Sequence, residues 1–389
     1  MTNWHIITCE YPPQVGGVGD YTRLLAGELR GAGDAVEVWA PAFDPGTQPQ
    51  PHRTLGEFKP ADLLCTDHEL EKFPSPRTLL VQWVPHGYGK RGVNLGFCNW
   101  IASRARKGDR VCLMIHEPYV ERSQKSWKLR AVSWLQRRMI RKLLSVATRV
   151  FISIPAWENY LRVYAPPATR FEWLPIPATI PAQLDTTATA DIRAQISNDS
   201  PVLGHLGTYS AEMCQILQPT LLKVLHDNVN ASVLLLGKNS DRFTASLKAH
   251  APAFASRIYG TGIQSDAALS HHIGACDLML QPYADGLSSR RTSLMNVLAH
   301  GVAVISNTGH LTENFWNESI AAALATVGEP NQLAALCSKF LRDHESRAAL
   351  AQAGLSFYHA RFDWPIVMRI LRSSPDAHLS LDAITSSNQ

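Results

Sequence analysis

The stretch LQPYADGLSSRRTSLMNVLAHGVAVISNTG, residues 280–309, is the one from which the fold can be read. An apolar run ends at Pro282, a polar turn containing Gly286 follows, and a helix is expected to begin near Ser288 or Ser289, with Leu294, Met295, Leu298 and Ala299 as its packed stripe. Beyond Gly301 a second apolar run, Val302–Ile305, restarts a strand. Strand, helix and strand in this succession make the unit of a parallel sheet, whose neighbouring strands need a crossover between them. Ser288, Ser289, Arg290, Arg291 and Thr292 then crowd the first turn of the helix. Arginines are unfavourable beside the positive end of a helix dipole, so a bound anion such as a diphosphate would account for them. Without one, they face solvent or pair with Asp285.

Outward from this stretch the same alternation covers the chain of 389 residues. The first half offers strand candidates at His5–Thr8, Val36–Trp39, Thr78–Trp83, Val111–Ile115, Arg149–Ser153 and Phe171–Leu174. The second half restarts with Val202–Leu206, Ser232–Leu236 and Asp277–Gln281 before Val302–Ile305. Between the halves lie PIPATIP and the Thr/Ala-rich DTTATAD. The expected organisation is an α/β protein with an N-terminal Rossmann-like domain over 1–178, a linker over 179–200 and a second such domain over 201–361. A short helix over 362–373 and a polar tail over 374–389 would follow. Residues 42–53 read as a Pro-rich surface loop. Two such domains across a hinge would place a ligand cleft at the carboxyl ends of their strands.

Composition removes several functions. Seven cysteines lie at least 14 residues apart, which excludes a CxxC zinc or redox motif. The absence of D-x-D, HExxH and GxSxG triplets and elbows argues against a metal site and a serine hydrolase. No basic segment followed by an apolar one opens the chain and no run of 18 apolar residues occurs, so a cytoplasmic location is expected.

Two further motifs carry chemistry. YPPQVGGVGDYTRLLAGELR follows the first strand, and Gly16, Gly17 and Gly19 would let a ligand approach the backbone at a helix N-terminus. The dinucleotide fingerprint is not met, because Thr22 stands where the third glycine would and the second strand ends in Trp39-Ala40 rather than an acid. The bland alternative is a tight turn joining strand to helix. In LMIHEPY, residues 113–119, His116 stands just beyond an apolar strand, either reaching a polar substrate or satisfied by neighbouring backbone. His86 in QWVPHGYG invites the same question.

GGVGDYT, HEPY, GHLGTYS and the residues PYADGLSSRR, Asn296, LAHG and NTG together resemble the GT-B glycosyltransferases of glycosyltransferase family 4, over roughly residues 4–371. The resemblance implies two Rossmann-like domains facing across a cleft, with a C-terminal helix returning to the N-terminal domain. It implies retaining, metal-independent transfer of a sugar from a nucleotide diphosphate of UDP or GDP type, without cofactor, to an acceptor hydroxyl on a glycan, a lipid-linked glycan or a small molecule. By position, His116 falls beside the transferred sugar, and Gly16 and Gly17 near the donor phosphates. Gly262 and Ile263 fall at the nucleobase, and Asn296 where a glutamate normally bonds the ribose. Gly207, Thr208, Lys238, Ser288, Ser289 and Thr292 complete the donor side, while Glu10, Asp20, His86 and Glu117 are the acceptor-side residues. Ser288 replaces the first glutamate of the family's pair, with Asp285 as a substitute. The usual basic residues after the second-domain opening strand are absent, which leaves the phosphate charge to Arg290 and Arg291. These departures keep two other readings open, a catalytically silent GT-B binding protein and a GT-B sugar-nucleotide epimerase.

Charge is uneven. Residues 1–180 hold 23 Lys and Arg against 16 Asp and Glu, whereas 181–389 hold 14 against 17. The excess concentrates between Arg122 and Arg149, which enclose no acid and interleave cations with Trp127, Leu129, Trp134, Leu135 and Met139. That pattern suits peripheral contact with an anionic membrane, a solvated outer helix, or a face for an anionic acceptor. No nucleic-acid-binding module is recognisable, and nucleic acid is not an expected partner.

Overall fold

The computed structural model describes residues 2–373 apart from Val15, 43–51, 121–125, Leu184 and 197–199. Most of the Pro-rich loop and all of the polar tail lie outside the described residues. The chain forms two compact units, the first running to Pro175 and resuming at Val367, the second spanning Ile176–Ile366.

In the first unit the strands are β1 (Asn3–Ile7), β2 (Ala35–Ala40), β3 (Arg53–Thr54), β4 (Thr78–Trp83), β5 (Arg110–Ile115), β6 (Arg149–Ile152) and β7 (Phe171–Trp173). They pair in the order β3-β2-β1-β4-β5-β6-β7, all parallel. In the second unit β8 (Val202–Leu206), β9 (Ser232–Leu236), β10 (Ile258–Gly260), β11 (Leu278–Leu280), β12 (Ala303–Asn307) and β13 (Ala323–Ala325) pair as β10-β9-β8-β11-β12-β13, again all parallel. Strands such as TLLVQW and SVLLL are buried at every position, as required when helices cover both faces of a sheet. Leu203, Leu235, Leu278 and Ile305 meet Leu217 and Leu221 of the helix Ala211–Asp227, and Leu333 and Cys337 of the helix Pro330–Arg342. Each such side chain contributes about 1.5–3 kcal/mol.

In both sheets the strand order reverses at the first strand. β1 has β2 on one side and β4 on the other, and β8 has β9 and β11. The crevice at the carboxyl ends of such a pair is where open α/β sheets bind ligands.

One region departs from the sequence reading. The stretch expected as linker contains a helix, Thr186–Ile196, fixed by Arg193 against the Asp277 carboxylate at 2.6 Å and the Ala275 carbonyl at 2.9 Å. Asp185 starts it by accepting from the Thr187 amide at 2.8 Å. DTTATAD has too few apolar positions to show a stripe, and the anchoring arginine lies beyond it. At the other end, the helix Trp364–Arg372 buries Val367, Ile370 and Leu371. There Arg149 donates to the carbonyls of Leu371 and Ser373, each at 2.9 Å, and Arg372 pairs with Asp34 at 3.2 Å.

Candidate functional site

The carboxyl edge of the second sheet gathers most of the donor-side residues. On one side of the switch point, the turns after β8, β9 and β10 are stitched together. The Gly207 amide donates to the Leu236 carbonyl at 3.0 Å, Asn239 donates to the Thr208 carbonyl at 3.1 Å, and the Gly262 amide donates to the Ser240 hydroxyl at 2.8 Å. Gly237, at φ +102°, presses against the Gly207 carbonyl, and a Cβ there would stand 2.4 Å from that oxygen. Thr208, Lys238 and Ile263 are exposed along this wall.

On the other side, Asn307 at the end of β12 clamps the chain leaving β11. Its side-chain carbonyl accepts from the Tyr283 amide and its amide donates to the Tyr283 carbonyl, both at 2.8 Å. Gly286, at φ +90°, lets the loop touch the 308–311 turn, where a Cβ would stand 2.3 Å from the Gly309 amide. The Asp285 carboxylate then accepts from both Arg290 and Arg291, one oxygen to each guanidinium. Burial alone would raise the Asp285 carboxyl, but Arg291 and Arg290 beside it hold it below its ordinary range. Arg291 stacks on the Tyr283 ring at 4.8 Å, and its Nε is shielded from solvent with no acceptor among the described residues.

The helix itself starts later than the sequence suggests, at Thr292, with Arg291 as its N-cap. The reason is a buried carboxylate that sequence reading missed. Glu313 accepts from the Ser289 amide at 3.0 Å, from the Ser289 hydroxyl, and from the Trp316 indole at 3.0 Å. Meanwhile the Leu287 amide is bonded to the Asn307 carbonyl at 2.8 Å. Residues 287–291 are thereby held as a turn before the helix, with Ser288 and Ser289 fully buried; the Ser289 hydroxyl is taken by Glu313, while the Ser288 hydroxyl has no partner among the described residues. Burial raises the Glu313 carboxyl. No spacing rule marks a glutamate 24 residues after Ser289 as its partner.

Asn296 requires a second correction. It is 4% exposed, and its side-chain carbonyl accepts from the Thr179 and Ile180 amides at 2.7 and 3.0 Å, an internal tie that takes it out of the ribose role.

In the first unit, His116 sits just past β5 with its Nε2 on the Gln82 side-chain Oε1 at 2.7 Å and the edge of Tyr21 against its ring at 5.3 Å. With the Gln82 amide oxygen turned to the ring, the matching tautomer is the one with the proton on Nε2 and Nδ1 as an acceptor. Packing strips the ring of water and lowers its pKa to about 3, so it is neutral in any ordinary buffer. A neutral imidazole can orient a hydroxyl but adds no charge against phosphate.

The Gly16–Gly17 turn is occupied by the chain itself. Glu10 accepts from the Val18 and Gly19 amides, both at 3.0 Å, at the N-terminus of the helix Gly17–Gly31. A Cβ on Gly16 would lie 2.2 Å from that carboxylate, which explains the glycine. Glu10 therefore caps the helix through one carboxylate oxygen, and a negative charge is already supplied at this turn. Asp20 lies in the first turn of the same helix, His86 is exposed beyond β4, and Glu117 is partly exposed next to His116. Among the described residues no group of three or more His, Cys, Asp or Glu is placed to hold a metal ion.

By sequence, neither the family models nor the curated proteins give a match. By structure, the chain resembles sucrose-phosphate synthase from Thermosynechococcus elongatus, with a TM-score of 0.70 at 16% identity over 94% of this chain and 96% of that one. Anabaena HepE in complex with UDP and glucose gives 0.68 at 13% identity over 95% and 98%. WaaG, a glycosyltransferase involved in lipopolysaccharide biosynthesis, gives 0.63 at 14% identity over 95% and 100%. The chain has the GT-B fold. In GT-B terms the paired-arginine loop lies in the C-terminal Rossmann-like domain and His116 in the N-terminal one.

Proposed function

We propose that this GT-B chain is a retaining, family 4-type glycosyltransferase that moves a sugar from a nucleotide diphosphate to an acceptor hydroxyl without a metal ion. The observation that carries the reading is the Asp285 carboxylate holding Arg290 and Arg291 together at the carboxyl edge of β11. Negative charge builds on the leaving phosphate as the glycosidic bond breaks, and preset guanidinium groups stabilise it without reorganising. Asp285 takes one N–H from each arginine, and the terminal nitrogens of Arg291, the more exposed of the two at 28% against 11%, are assigned to the phosphate oxygens, with Arg290 adding its charge beside them. The turns at Gly207, Thr208, Lys238, Gly262 and Ile263 are assigned to the nucleoside end, and His116 to the sugar hydroxyls. The acceptor proton would pass to the departing phosphate on the same face, which gives retention.

UDP-glucose is the first donor to test, because HepE is described in complex with it. A thermal-shift panel of UDP-, GDP-, ADP- and dTDP-sugars should show one base raising the melting temperature, since a ligand that binds only the folded state stabilises it. Incubation with that donor should release the nucleoside diphosphate. No shift with any donor would count against the reading. The silent-binder alternative draws on Ser288 and the internal role of Asn296, and it predicts a thermal shift with no release of nucleotide. An isomerised donor would indicate the epimerase instead.

A further inference from the structure

The basic stretch of the first unit forms a helix, Trp127–Leu144, with Ser126 as its N-cap. Arg122 and Lys125 lie outside the described residues. Its apolar residues divide between two faces. Met139, Ile140, Leu143 and Leu144 are buried against the body of the unit, together with Ser133 and Gln136, and Gln136 donates to the Pro85 carbonyl at 2.8 Å. The outward face is different. Trp127, Ala131, Trp134 and Arg138 follow one another at helical spacing and are all exposed, the two indoles to 68% and 49%. Leu129, in the first turn, is 45% exposed. Around the indoles lie Lys128, Arg130, Arg141 and Lys142, all exposed, and no acid occurs anywhere in the helix. Arg138 lies over the Trp134 ring at 4.4 Å, which ties cation and indole into one surface.

A helix that merely faces water gains nothing from two outward tryptophans, and its cations would ordinarily be interspersed with acids. Indoles are amphipathic and settle at the headgroup level of a bilayer, while cations clustered beside them are drawn to anionic lipid. We propose that the outer face of Trp127–Leu144 docks the protein on an anionic lipid bilayer, with Trp127 and Trp134 as wedges and the surrounding Lys and Arg side chains on the headgroups. The helix does not insert, because its apolar stripe is already used inside the unit. The proposal rests on this surface alone and stands whether or not the chain transfers a sugar.

The test is co-sedimentation of the full chain with vesicles of phosphatidylcholine alone and of equal parts phosphatidylcholine and phosphatidylglycerol. The wild type should sediment with the anionic vesicles only, and less so as salt is raised. Each cation near the surface is worth about 1 kcal/mol before screening, so Arg130→Glu with Lys142→Glu should lower the partition coefficient about tenfold or more. Trp127→Ala with Trp134→Ala should lower it comparably while leaving the melting temperature unchanged, since both side chains are exposed. Equal binding by wild type and either double variant would overturn the proposal. So would equal binding to neutral vesicles, no binding at low salt, or binding to heparin or RNA without binding to anionic vesicles.

Discussion

At the scale of single residues, a half-buried carboxylate, Asp285, and a buried one, Glu313, have opposite pH behaviour and frame the candidate site. Asp285 has its carboxyl held below the ordinary value of 3.8 by the two arginines, although burial pushes the other way. Its contribution to stability is therefore present above that ordinary value and is lost as pH falls through the lower folded value. Glu313 has its carboxyl raised above 4.5 by burial, so its contribution is full below that pH and is lost as pH rises through the folded value. Melting temperatures measured against pH should show Asp285→Asn with a flatter acid limb than wild type, and Glu313→Gln with a smaller decline on the neutral side. His116 makes a third case. With its pKa lowered to about 3, it stays neutral across the working range and adds no inflection to a pH–rate profile between about pH 5 and 9. His116→Ala should lower turnover by about tenfold or more and leave nucleotide affinity unchanged. An equal loss of both, by steady-state kinetics and calorimetric titration, would contradict its assignment to the sugar.

At the scale of elements, what was legible followed from how strongly a segment is buried. Thr78–Trp83, Val202–Leu206 and Ser232–Leu236 read correctly to the residue because fully buried parallel strands are near-continuous apolar runs. Three short strands went unread: Arg53–Thr54, Ile258–Gly260 and Ala323–Ala325. Each lies at a sheet edge with two or three residues and little hydrophobic signal. The paired-arginine turn and the glycine turns were visible as motifs. Their supports were not, since Glu313 reaches Ser289, and Asn296 reaches Thr179, across chain separations that no local pattern encodes. Glu10 was noticed as an acid, but its reach to the Val18 and Gly19 amides depends on the fold of the intervening turn. Asn296 gives the element-scale prediction. Asn296→Ala would leave two buried amides without an acceptor, at about 1–3 kcal/mol each, so urea unfolding should show a loss of about 2 kcal/mol or more. Nucleotide affinity should be retained at temperatures where the variant is folded, and its selective loss would restore the ribose assignment.

At the scale of the whole molecule, the two Rossmann-like units repeat one topology and carry different chemistry. The basic excess of the first half falls on an outer helix of the first unit. The second half is mildly acidic, and there the two arginines and Asp285 form a local cationic site at the carboxyl edge of β11. That site is the centre of the account, and isothermal titration of UDP or GDP, whichever base shifts the melting temperature, tests it most directly. The wild type should bind the nucleoside diphosphate, and Arg290→Ala with Arg291→Ala should weaken binding by about a hundredfold, as expected when two charge-assisted contacts are removed, while still melting cooperatively. Undiminished affinity in a folded double variant would place the diphosphate elsewhere and contradict the reading.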